Sequence, residues 1–541
     1  MDGLMMDDYP LTLTPLLDRA ERIFPAVKIA SRCPDGVVRY SDYGTVVRRA
    51  RSLAGALLSE GILPGDRIAT LMWNHATHLE AYLGVTATGA VLHTLNLRLP
   101  HDDLAYVINH AHDRWILVDD VLLPTLAPVR ERIHPERMVV AASAGKTVPQ
   151  GFDDYEQLLA RHPPTANLPR LRETQGAALC YTSGTTGRPK GVLYSHRAVV
   201  LHSMAEAFAL GLSQSDSVLV VVPMFHINAW GLPFTMTMLG GRQVLPGPFL
   251  DAENLLDLVE REGVTLAAGV PSVWLRILEA LEKNPGRWNL SPKLRMVVGG
   301  SAMPESMARR FSALGVSTIQ GYGLTETTPV VALSIPKESM RGWDADRLFA
   351  LQARTGLMLP YVEARIRSEK NDLPWDGKAV GELQLRGPWI ARSYFDEPDA
   401  ADKWTDDGWF RTGDVATIDP EGYVLIVDRI KDLVKSGGEW ISSVALENAL
   451  VSHPAVLEAG VIGRPDPKWG ERPVAFLALK AGMTVSPEEL RALLAGRYPK
   501  WWIPDEFHFV AALPKTSTGK ISKLKLREEF ASAHQPVPPP R

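Results

Sequence analysis

The sequence predicts an α/β protein with a large N-terminal domain of layered α/β subdomains plus a small antiparallel β barrel, and a small α+β C-terminal domain. Its 541 residues exceed the length at which one hydrophobic core stops growing. Short β-branched runs alternate with helical patterns along most of the chain. After about residue 355 the pattern changes to the polar–apolar alternation of antiparallel strands.

The alternating part begins with a helical apolar stripe over residues 45–59, followed by a short buried strand in the run Asp66–Asn74. Further strands are predicted for "RWILVDD", "SVLVVVPMF", "TLAAGVP" and "LRMVVGG". Each run ends in polar, Gly or Pro residues and is followed by a helical pattern. This order favours layered units with largely parallel sheets.

The later part contains "GELQLRG" and "GYVLIVDR", which alternate like strands of a small antiparallel sheet or barrel. A compact unit follows, with predicted helices at "ISSVALENALVSH" and "SPEELRALLAGRY" and predicted strands at "VLEAGVIGRP" and "PVAFLALK". The second helix carries a glutamate at the capping-box position. We therefore place a domain boundary near Asp428, with an N-terminal domain over residues 1–427 and a C-terminal domain over 434–541 on the two sides of residues 428–433.

Composition excludes several classes of protein. The formal net charge is −4 with a pI of about 6.4, which argues against a broad nucleic-acid surface. The two cysteines, Cys33 and Cys180, cannot form a disulfide framework or a Cys-rich zinc site, and they fit a reducing compartment. The apolar runs are too short to span a bilayer, so we expect no transmembrane segment and a cytoplasmic protein.

The stretch "YTSGTTGRPKG", Tyr181 to Gly191, combines small residues, hydroxyls and a lysine. Successive small residues let backbone N–H groups form an anion-binding concavity, so the stretch predicts a phosphate-binding loop; an ordinary Gly/Ser/Thr turn is the alternative. It is not a P-loop, because Arg188 and Pro189 separate Gly187 from the lysine. The candidate phosphate-binding residues are Thr182, Ser183, Gly184, Thr185, Thr186, Gly187 and Lys190.

This loop resembles the signature of the adenylate-forming superfamily, which includes acyl-CoA synthetases, luciferases and peptide-synthetase adenylation domains. Further motifs resemble that family in its order: "QGYGLTETTP", "GELQLRG", "DGWFRTGDV", "DRIKDLVKSGGEWIS" and "PKTSTGKI". The resemblance covers nearly the whole chain. Within the superfamily, "VPMFHINAWGLPF" and "SGGEWISSV" look most like bacterial medium- and long-chain fatty-acyl-CoA synthetases and related short-acid ligases.

The resemblance implies a two-step reaction. A carboxylate attacks the α-phosphate of ATP, giving an acyl-adenylate and pyrophosphate. The C-terminal domain then swings, and the thiol of coenzyme A takes the acyl group and releases AMP. The implied catalytic residues are Lys520, Glu326 and His226, although a structural histidine is an open alternative for His226. Thr182 and Glu326 would contact Mg²⁺, which prefers oxygen ligands.

Further roles follow from the same resemblance. Acyl binding is implied for Ile227, Trp230, Gly323 and Leu324, with a core tryptophan as the alternative for Trp230. Coenzyme A binding is implied for Gly437, Gly438 and Glu439, and Asp428 would be the hinge residue. Besides the phosphate loop, the implied ATP/AMP-binding residues are Gly300, Ser301, Ala302, Gln320, Gly321, Tyr322, Gly323, Thr325, Asp414, Arg429, Lys431, Lys435 and Trp440.

The substrate stays open between a medium- or long-chain fatty acid and a short acid, such as a thioether-bearing propionate or a branched acid. Two other functions remain as alternatives. One is an adenylating enzyme that feeds a carrier protein or a luciferase-type oxidation, and the other is a nucleotide-binding protein without catalysis. A homodimer is suggested by analogy alone.

Overall fold

The computed structural model describes residues 5–6, 8–143, 145–182, 188–369, 371–437, 439–516 and 520–533. The helices, in chain order, are α1 (Thr14–Ile23), α2 (Tyr43–Ser59), α3 (Ala76–Ala87), α4 (His101–His110), α5 (Leu123–Leu126), α6 (Tyr155–Arg161), α7 (His196–Leu210), α8 (Leu232–Leu239), α9 (Ala252–Arg261), α10 (Pro271–Lys283), α11 (Glu305–Ala313), α12 (Ala345–Gln352), α13 (Ser443–Val451), α14 (Pro487–Ala495) and α15 (Lys523–Ala533).

The strands, in chain order, are β1 (Lys28–Arg32), β2 (Val38–Asp42), β3 (Arg67–Leu71), β4 (Val91–Thr94), β5 (Asp113–Asp119), β6 (Arg137–Ala141), β7 (Asp153–Asp154), β8 (Gly176–Tyr181), β9 (Gly191–Ser195), β10 (Ser217–Val220), β11 (Arg242–Leu245), β12 (Leu266–Gly269), β13 (Arg295–Val298), β14 (Ser317–Gly323), β15 (Val330–Leu333), β16 (Leu357–Met358), β17 (Glu363–Arg367), β18 (Gly381–Arg386), β19 (Phe410–Ile418), β20 (Val424–Arg429), β21 (Val434–Ser436), β22 (Glu439–Ile441), β23 (Val456–Asp466), β24 (Gly470–Leu479) and β25 (Glu506–Phe509).

Two large sheets carry the first part of the chain. One has the strand order β7-β6-β5-β3-β4-β8-β9, and the other has the order β16-β15-β14-β13-β12-β10-β11-β1-β2. Neighbouring strands are parallel except at β8–β9, β1–β2 and the β14–β15–β16 end. The predicted parallel layers are therefore confirmed. The largest core cluster joins residues of both sheets, including Ile68 of β3 and Val218 of β10.

The later part of the chain forms two antiparallel units. Strands β17-β18-β19-β20 make a four-stranded sheet in the region where a barrel is predicted. Strands β22-β21-β24-β23 make a second sheet, to which β25 adds in parallel next to β24. This second unit has its own core around Val461, Leu477 and Leu490. The expected α+β unit at the C-terminal end is thus observed.

Local sequence explains several helix starts. Asp42, Ser195 and Asp251 each accept a hydrogen bond from a backbone N–H in the first turn of α2, α7 and α9, which satisfies a donor left free at a helix start. Ser486 and Glu489 form the predicted capping box of α14. The predicted helix at residues 45–59 is α2, which starts two residues earlier because Asp42 supplies the cap.

Candidate active site

Most candidate residues lie where parallel strands end, as expected for ligand sites in α/β sheets. Strand β8 leads into Thr182, β10 into the segment that reaches His226, and β13 into Gly300. Strand β14 itself carries Gln320, Gly321, Tyr322 and Gly323 and runs into Glu326. The chain therefore brings the N-terminal motifs to one edge of the fold.

The described ends of the phosphate loop are tied together. Thr182 N donates to the Lys190 carbonyl at 2.9 Å, and Lys190 N donates to Thr182 Oγ1 at 3.0 Å. The Lys190 ammonium lies 5.1 Å from the ring centre of Tyr394. Residues 183–187, five of the predicted phosphate-binding positions, lie outside the described residues. The loop is thus closed at its base, with the Lys190 charge held beside an aromatic ring.

Glu326 is held on a short turn, Thr325–Thr327, between β14 and β15. The Tyr394 hydroxyl donates to Glu326 Oε1 at 2.5 Å, and Ala391 N donates to the Glu326 carbonyl at 2.8 Å. Tyr194 donates its hydroxyl proton to the Thr325 carbonyl at 2.7 Å. Tyr394 therefore contacts both Lys190 and Glu326, a connection that sequence reasoning missed.

Asp414 and Arg429 face each other on β19 and β20 and form a pair with a 3.1 Å distance from Arg429 Nε to Asp414 Oδ1. The Tyr322 hydroxyl donates to Asp414 Oδ2 at 2.6 Å. Asp414 is only 2% exposed. The structure thus brings together three of the predicted nucleotide-binding residues around one carboxylate.

Gln320 uses its amide within the protein. Its Oε1 accepts from Met303 N at 2.7 Å, and its Nε2 donates to the carbonyls of Ser301 and Gly321 at 3.3 and 3.1 Å. These bonds hold the exposed residues Ser301 and Ala302 against β14. We therefore interpret Gln320, for which the resemblance implies ATP/AMP binding, as a residue whose amide holds the segment of Ser301 and Met303 against β14.

Lys520 reaches this site from the C-terminal unit. A Cβ on Gly300 would lie 3.3 Å from Lys520 Cε and 4.0 Å from Nζ, so the glycine leaves room for the lysine. Gly300 also has φ of +85°, a conformation that favours glycine. Residues 517–519 of the lysine loop lie outside the described residues.

Charged residues from other motifs act on the ammonium of Lys520. Burial, and to a smaller extent the Arg429 guanidinium, lower the pKa of Lys520 to about 8. The carboxylates of Asp414 and Glu326 act in the opposite direction. The lysine ammonium therefore stands between two carboxylates and a guanidinium that come from other parts of the chain.

His226 is neutral at physiological pH. Burial lowers its pKa to about 3, and the positive charges of Lys520 and Arg98 contribute to the lowering. A neutral imidazole can orient a carboxylic acid by a hydrogen bond but carries no charge to bind it. The Lys520 charge acts on His226, so the two side chains lie within electrostatic range of each other.

The segment after His226 is a left-handed turn. Ile227, Asn228, Ala229 and Trp230 have φ of +47°, +49°, +50° and +59°, and Gly231 has φ of +87°. Residues other than glycine and asparagine rarely adopt this conformation, which costs roughly 1–2 kcal/mol per residue. All five residues are buried, so surrounding packing holds the strained turn in place.

Trp230 and Gly323 mark the predicted acyl site. A Cβ on Gly299 would lie 2.7 Å from Trp230 Cη2, so the indole packs directly on the glycine at the end of β13. A Cβ on Gly323 would clash with the Pro329 carbonyl, so only glycine fits there. Leu324 N donates to Thr327 Oγ1 at 2.8 Å. Trp230 thus lies beside the residue that follows β13.

Helix α7 backs this turn with polar side chains that the sequence motifs did not include. A Cβ on Gly231 would lie 2.8 Å from His202 Nδ1 and 3.4 Å from Glu206 Oε2. Thr235 of α8 donates to Glu206 Oε2 at 2.6 Å. Glu206 is 2% exposed, and burial raises its pKa to about 8.

The buried carboxyl gives a testable pH dependence of stability. Since the pKa of Glu206 is raised from 4.5 to about 8, the unfolded chain releases this proton at lower pH than the folded protein. The free energy of unfolding therefore falls as the pH rises from 4.5 to about 8. In Glu206→Gln this decrease is absent, because the amide does not titrate. We expect the variant to gain about 2–4 kcal/mol relative to wild type on going from pH 5 to pH 8. Thermal unfolding at both values measures this, and parallel pH curves would contradict it.

The predicted coenzyme A residues lie on the β21–β22 hairpin. Gly437 N donates to the Trp469 carbonyl at 2.7 Å, and Glu439 and Trp440 are exposed. The Lys435 ammonium lies 4.8 Å from the Trp440 ring centre. Gly438 lies outside the described residues. The hairpin thus presents exposed backbone and one cation–aromatic pair to solvent.

Lys431 and Asp428 lie closer to the junction with the C-terminal unit. Burial and the Arg429 charge lower the pKa of Lys431, so Lys431 lies within electrostatic range of Arg429. The Asp428 carboxylate is 1% exposed and accepts a hydrogen bond from Ser443 N at 2.6 Å, as well as one from the Ser443 hydroxyl. Asp428 on β20 thereby satisfies a free backbone donor at the start of α13, whose N-cap is Ser442.

No helix among the described residues is long and apolar enough to cross a membrane. Curated relatives match nearly the whole chain, as two of them illustrate. A long-chain-fatty-acid–CoA ligase of Thermus thermophilus is 46% identical, with 98% of this chain and 99% of the relative covered. A 3-methylmercaptopropionyl-CoA ligase of Ruegeria lacuscaerulensis is 42% identical with the same coverage.

A solved structure of the anthranilate CoA ligase AuaEII in complex with anthranoyl-AMP matches with a TM-score of 0.87 at 27% identity. The match covers 97% of this chain and 99% of that one. The family model for AMP-binding enzymes matches residues 23–395, and the model for their C-terminal domain matches residues 445–520. The chain therefore belongs to the AMP-binding enzyme family of adenylate-forming proteins.

Proposed function

We propose that the protein activates a carboxylic acid with ATP and transfers the acyl group to coenzyme A. The protein is an AMP-forming acid–CoA ligase, and its products are acyl-CoA, AMP and pyrophosphate. The observation that carries the proposal is the approach of Lys520 to Gly300, Asp414 and Glu326. A lysine from the C-terminal unit thereby reaches the residues that would hold the nucleotide.

In the adenylation step, we assign Lys520 to the substrate carboxylate and the α-phosphate. An ammonium between these two anions lowers their repulsion and stabilises the charge that develops in the transition state. The loop between Thr182 and Lys190 would hold the β- and γ-phosphates of the leaving pyrophosphate. Asp414 would accept hydrogen bonds from the two ribose hydroxyls.

The donor set fits Mg²⁺. Within the part of the chain that the structure describes, no group of three His, Cys, Asp or Glu side chains could hold a metal ion. Mg²⁺ commonly takes one or two protein oxygens and completes its shell with phosphates and water. Glu326 and Thr182 would supply the protein oxygens. The ion, when bound, neutralises charge on the pyrophosphate.

For thioester formation, we propose that residues 428–433 act as a hinge between an N-terminal domain of residues 1–427 and a C-terminal domain of residues 434–541. Lys520 would leave the site, and the Gly437–Glu439 backbone would approach the pantetheine of coenzyme A. Strand β20 ends at Arg429 in one sheet and β21 begins at Val434 in another, which supports a hinge between them.

A medium- or long-chain fatty acid is the first candidate substrate, and a short acid is the second. AMP release across unbranched acids of increasing length, with and without coenzyme A, tests both. We expect turnover that depends on coenzyme A and is fastest with medium or long chains. Turnover confined to acids of about four carbons or fewer would select the short acid.

The same assay separates the remaining functions. Adenylate formation without coenzyme A turnover would indicate transfer to a carrier protein or an oxidation. Nucleotide binding without either reaction would indicate a protein that has lost catalysis. Both cysteines are free, in agreement with a cytoplasmic location. Sedimentation of the full chain tests the proposed homodimer.

A further inference from the structure

Four buried residues with polar atoms lie on helix α7 or against it, and we name them the α7 cluster: His202, Ser203, Glu206 and Trp389. All four are at most 2% exposed. The ring centres of His202 and Trp389 are 6.2 Å apart in an edge-to-face contact. Such a group is unexpected next to apolar residues unless its polar atoms have partners.

The cluster adjoins both predicted walls of the acyl site. His202 Nδ1 and Glu206 Oε2 lie against Gly231, the residue that follows Trp230. On the other side, Val330 N donates to His202 Nε2 at 3.1 Å, and Val330 pairs with Gly323 across β14 and β15. The cluster is therefore directly behind the two elements that border the acyl chain.

Hydrogen-bonding capacity in the cluster is not used up within the described residues. Ser203 Oγ and Trp389 Nε1 are buried there without a hydrogen-bond partner, and Glu206 receives a hydrogen bond from Thr235 alone. Because His202 accepts at Nε2 and is neutral, its ring proton is on Nδ1, which faces Gly231. Buried polar groups without partners are rare and costly, so this set calls for an explanation.

We propose that the α7 cluster is a polar subsite at the far end of the acyl site, which binds a hydroxyl group on the tail of the acid. The proposal rests on the acyl-binding role assigned above to Trp230 and Gly323. Burial raises the pKa of Glu206 to about 8, so at neutral pH its carboxyl both donates and accepts. A hydroxyl group of the acid can likewise donate one hydrogen bond and accept another, so it matches a protonated Glu206. An ammonium group would instead need Glu206 to be ionised.

The test compares hydroxy acids with unsubstituted acids of equal length, from four to about ten carbons, with the hydroxyl at each position. The readout is kcat/KM for AMP release with coenzyme A. We expect at least one hydroxyl position to be favoured about tenfold or more over the unsubstituted acid, because an unpaired buried site disfavours the analogue.

Three variants connect that preference to the cluster. Glu206→Leu should reverse the preference, Ser203→Ala should reduce it, and Glu206→Gln should retain part of it because the amide also donates and accepts. The control is Ser52→Ala, a buried serine of α2, which should leave the preference unchanged. If Glu206→Leu does not fold, the proposal is judged from the preference for hydroxy acids in the wild type and in Glu206→Gln.

Equal or faster turnover of unsubstituted acids at every length would overturn the proposal, as would a preference that Glu206→Leu leaves unchanged. Preference for amino-substituted acids would instead indicate an ionised Glu206 and would also overturn it. In each of these outcomes the acid–CoA ligase function stands. No AMP release with any acid would contradict the proposed function itself.

Discussion

Lys520→Ala is expected to slow acyl-adenylate formation by about 10²–10³-fold, the loss typical of removing one preorganised donor to a developing charge. The lysine is the described cation that comes from the C-terminal unit to within van der Waals range of Gly300. Without it, the acid carboxylate and the α-phosphate approach each other with their charges less balanced. ATP–pyrophosphate exchange measures this half-reaction.

Thioester formation from supplied acyl-adenylate should be nearly unaffected by Lys520→Ala, because the proposed hinge movement takes the lysine out of the site for that step. The matched control is Lys515→Ala, a lysine that precedes the same loop and pairs with Glu458 at 2.6 Å. The control should retain adenylation. Unchanged pyrophosphate exchange in Lys520→Ala, or an equal loss in both half-reactions, would contradict the assignment.

Asp414→Ala is expected to lower kcat/KM for ATP by about 10²–10⁴-fold. Two hydrogen bonds from ribose hydroxyls to a charged carboxylate contribute roughly 1.5–3 kcal/mol each. The substitution also removes the partners of Tyr322 and Arg429. The ribose hydrogen bonds would be equally strong in the bound ground state and in the transition state. The decrease in kcat/KM should therefore appear mainly as a higher KM for ATP. Asp414→Asn keeps the shape of the side chain and should lower kcat/KM for ATP by a smaller factor.

Asp419→Ala is the control for this change. Asp419 is also a partly buried carboxylate, pairs with Arg354 and accepts from Tyr423 N at 2.9 Å next to the same sheet. Its removal should lower the thermal midpoint without raising the KM for ATP. A similar KM for ATP in both variants would show that Asp414 supports the sheet and does not bind ribose.

Much of the fold and the outline of the site could be predicted from the sequence because the family motifs are contiguous. Short runs such as the one around Asp414 carry their own turn and polar residue. Tyr394 escaped prediction because it joins Lys190 and Glu326 only through the packing of distant segments; it lies 68 residues from Glu326. Gln320 was placed in the site, but only the structure shows that its amide is used by neighbouring backbone.

The α7 residues escaped prediction for a different reason. On a helix, His202 and Glu206 follow the spacing of ordinary core positions, and nothing in the sequence shows which element covers them. The left-handed turn at Ile227–Trp230 could not be predicted from the sequence either. Isoleucine and tryptophan have no local preference for positive φ, so tertiary packing alone decides their conformation.

That turn has a consequence for redesigning the enzyme toward other acids. At positions 227–230 a new side chain must be accommodated on a backbone that most residues resist, so libraries there should yield many unstable variants. Glycine at position 229 would relieve the backbone but would loosen the segment that carries Trp230. Helix α7 offers regular backbone on the other side of Gly231. Diversity placed on α7 should therefore alter acid preference with fewer losses of expression.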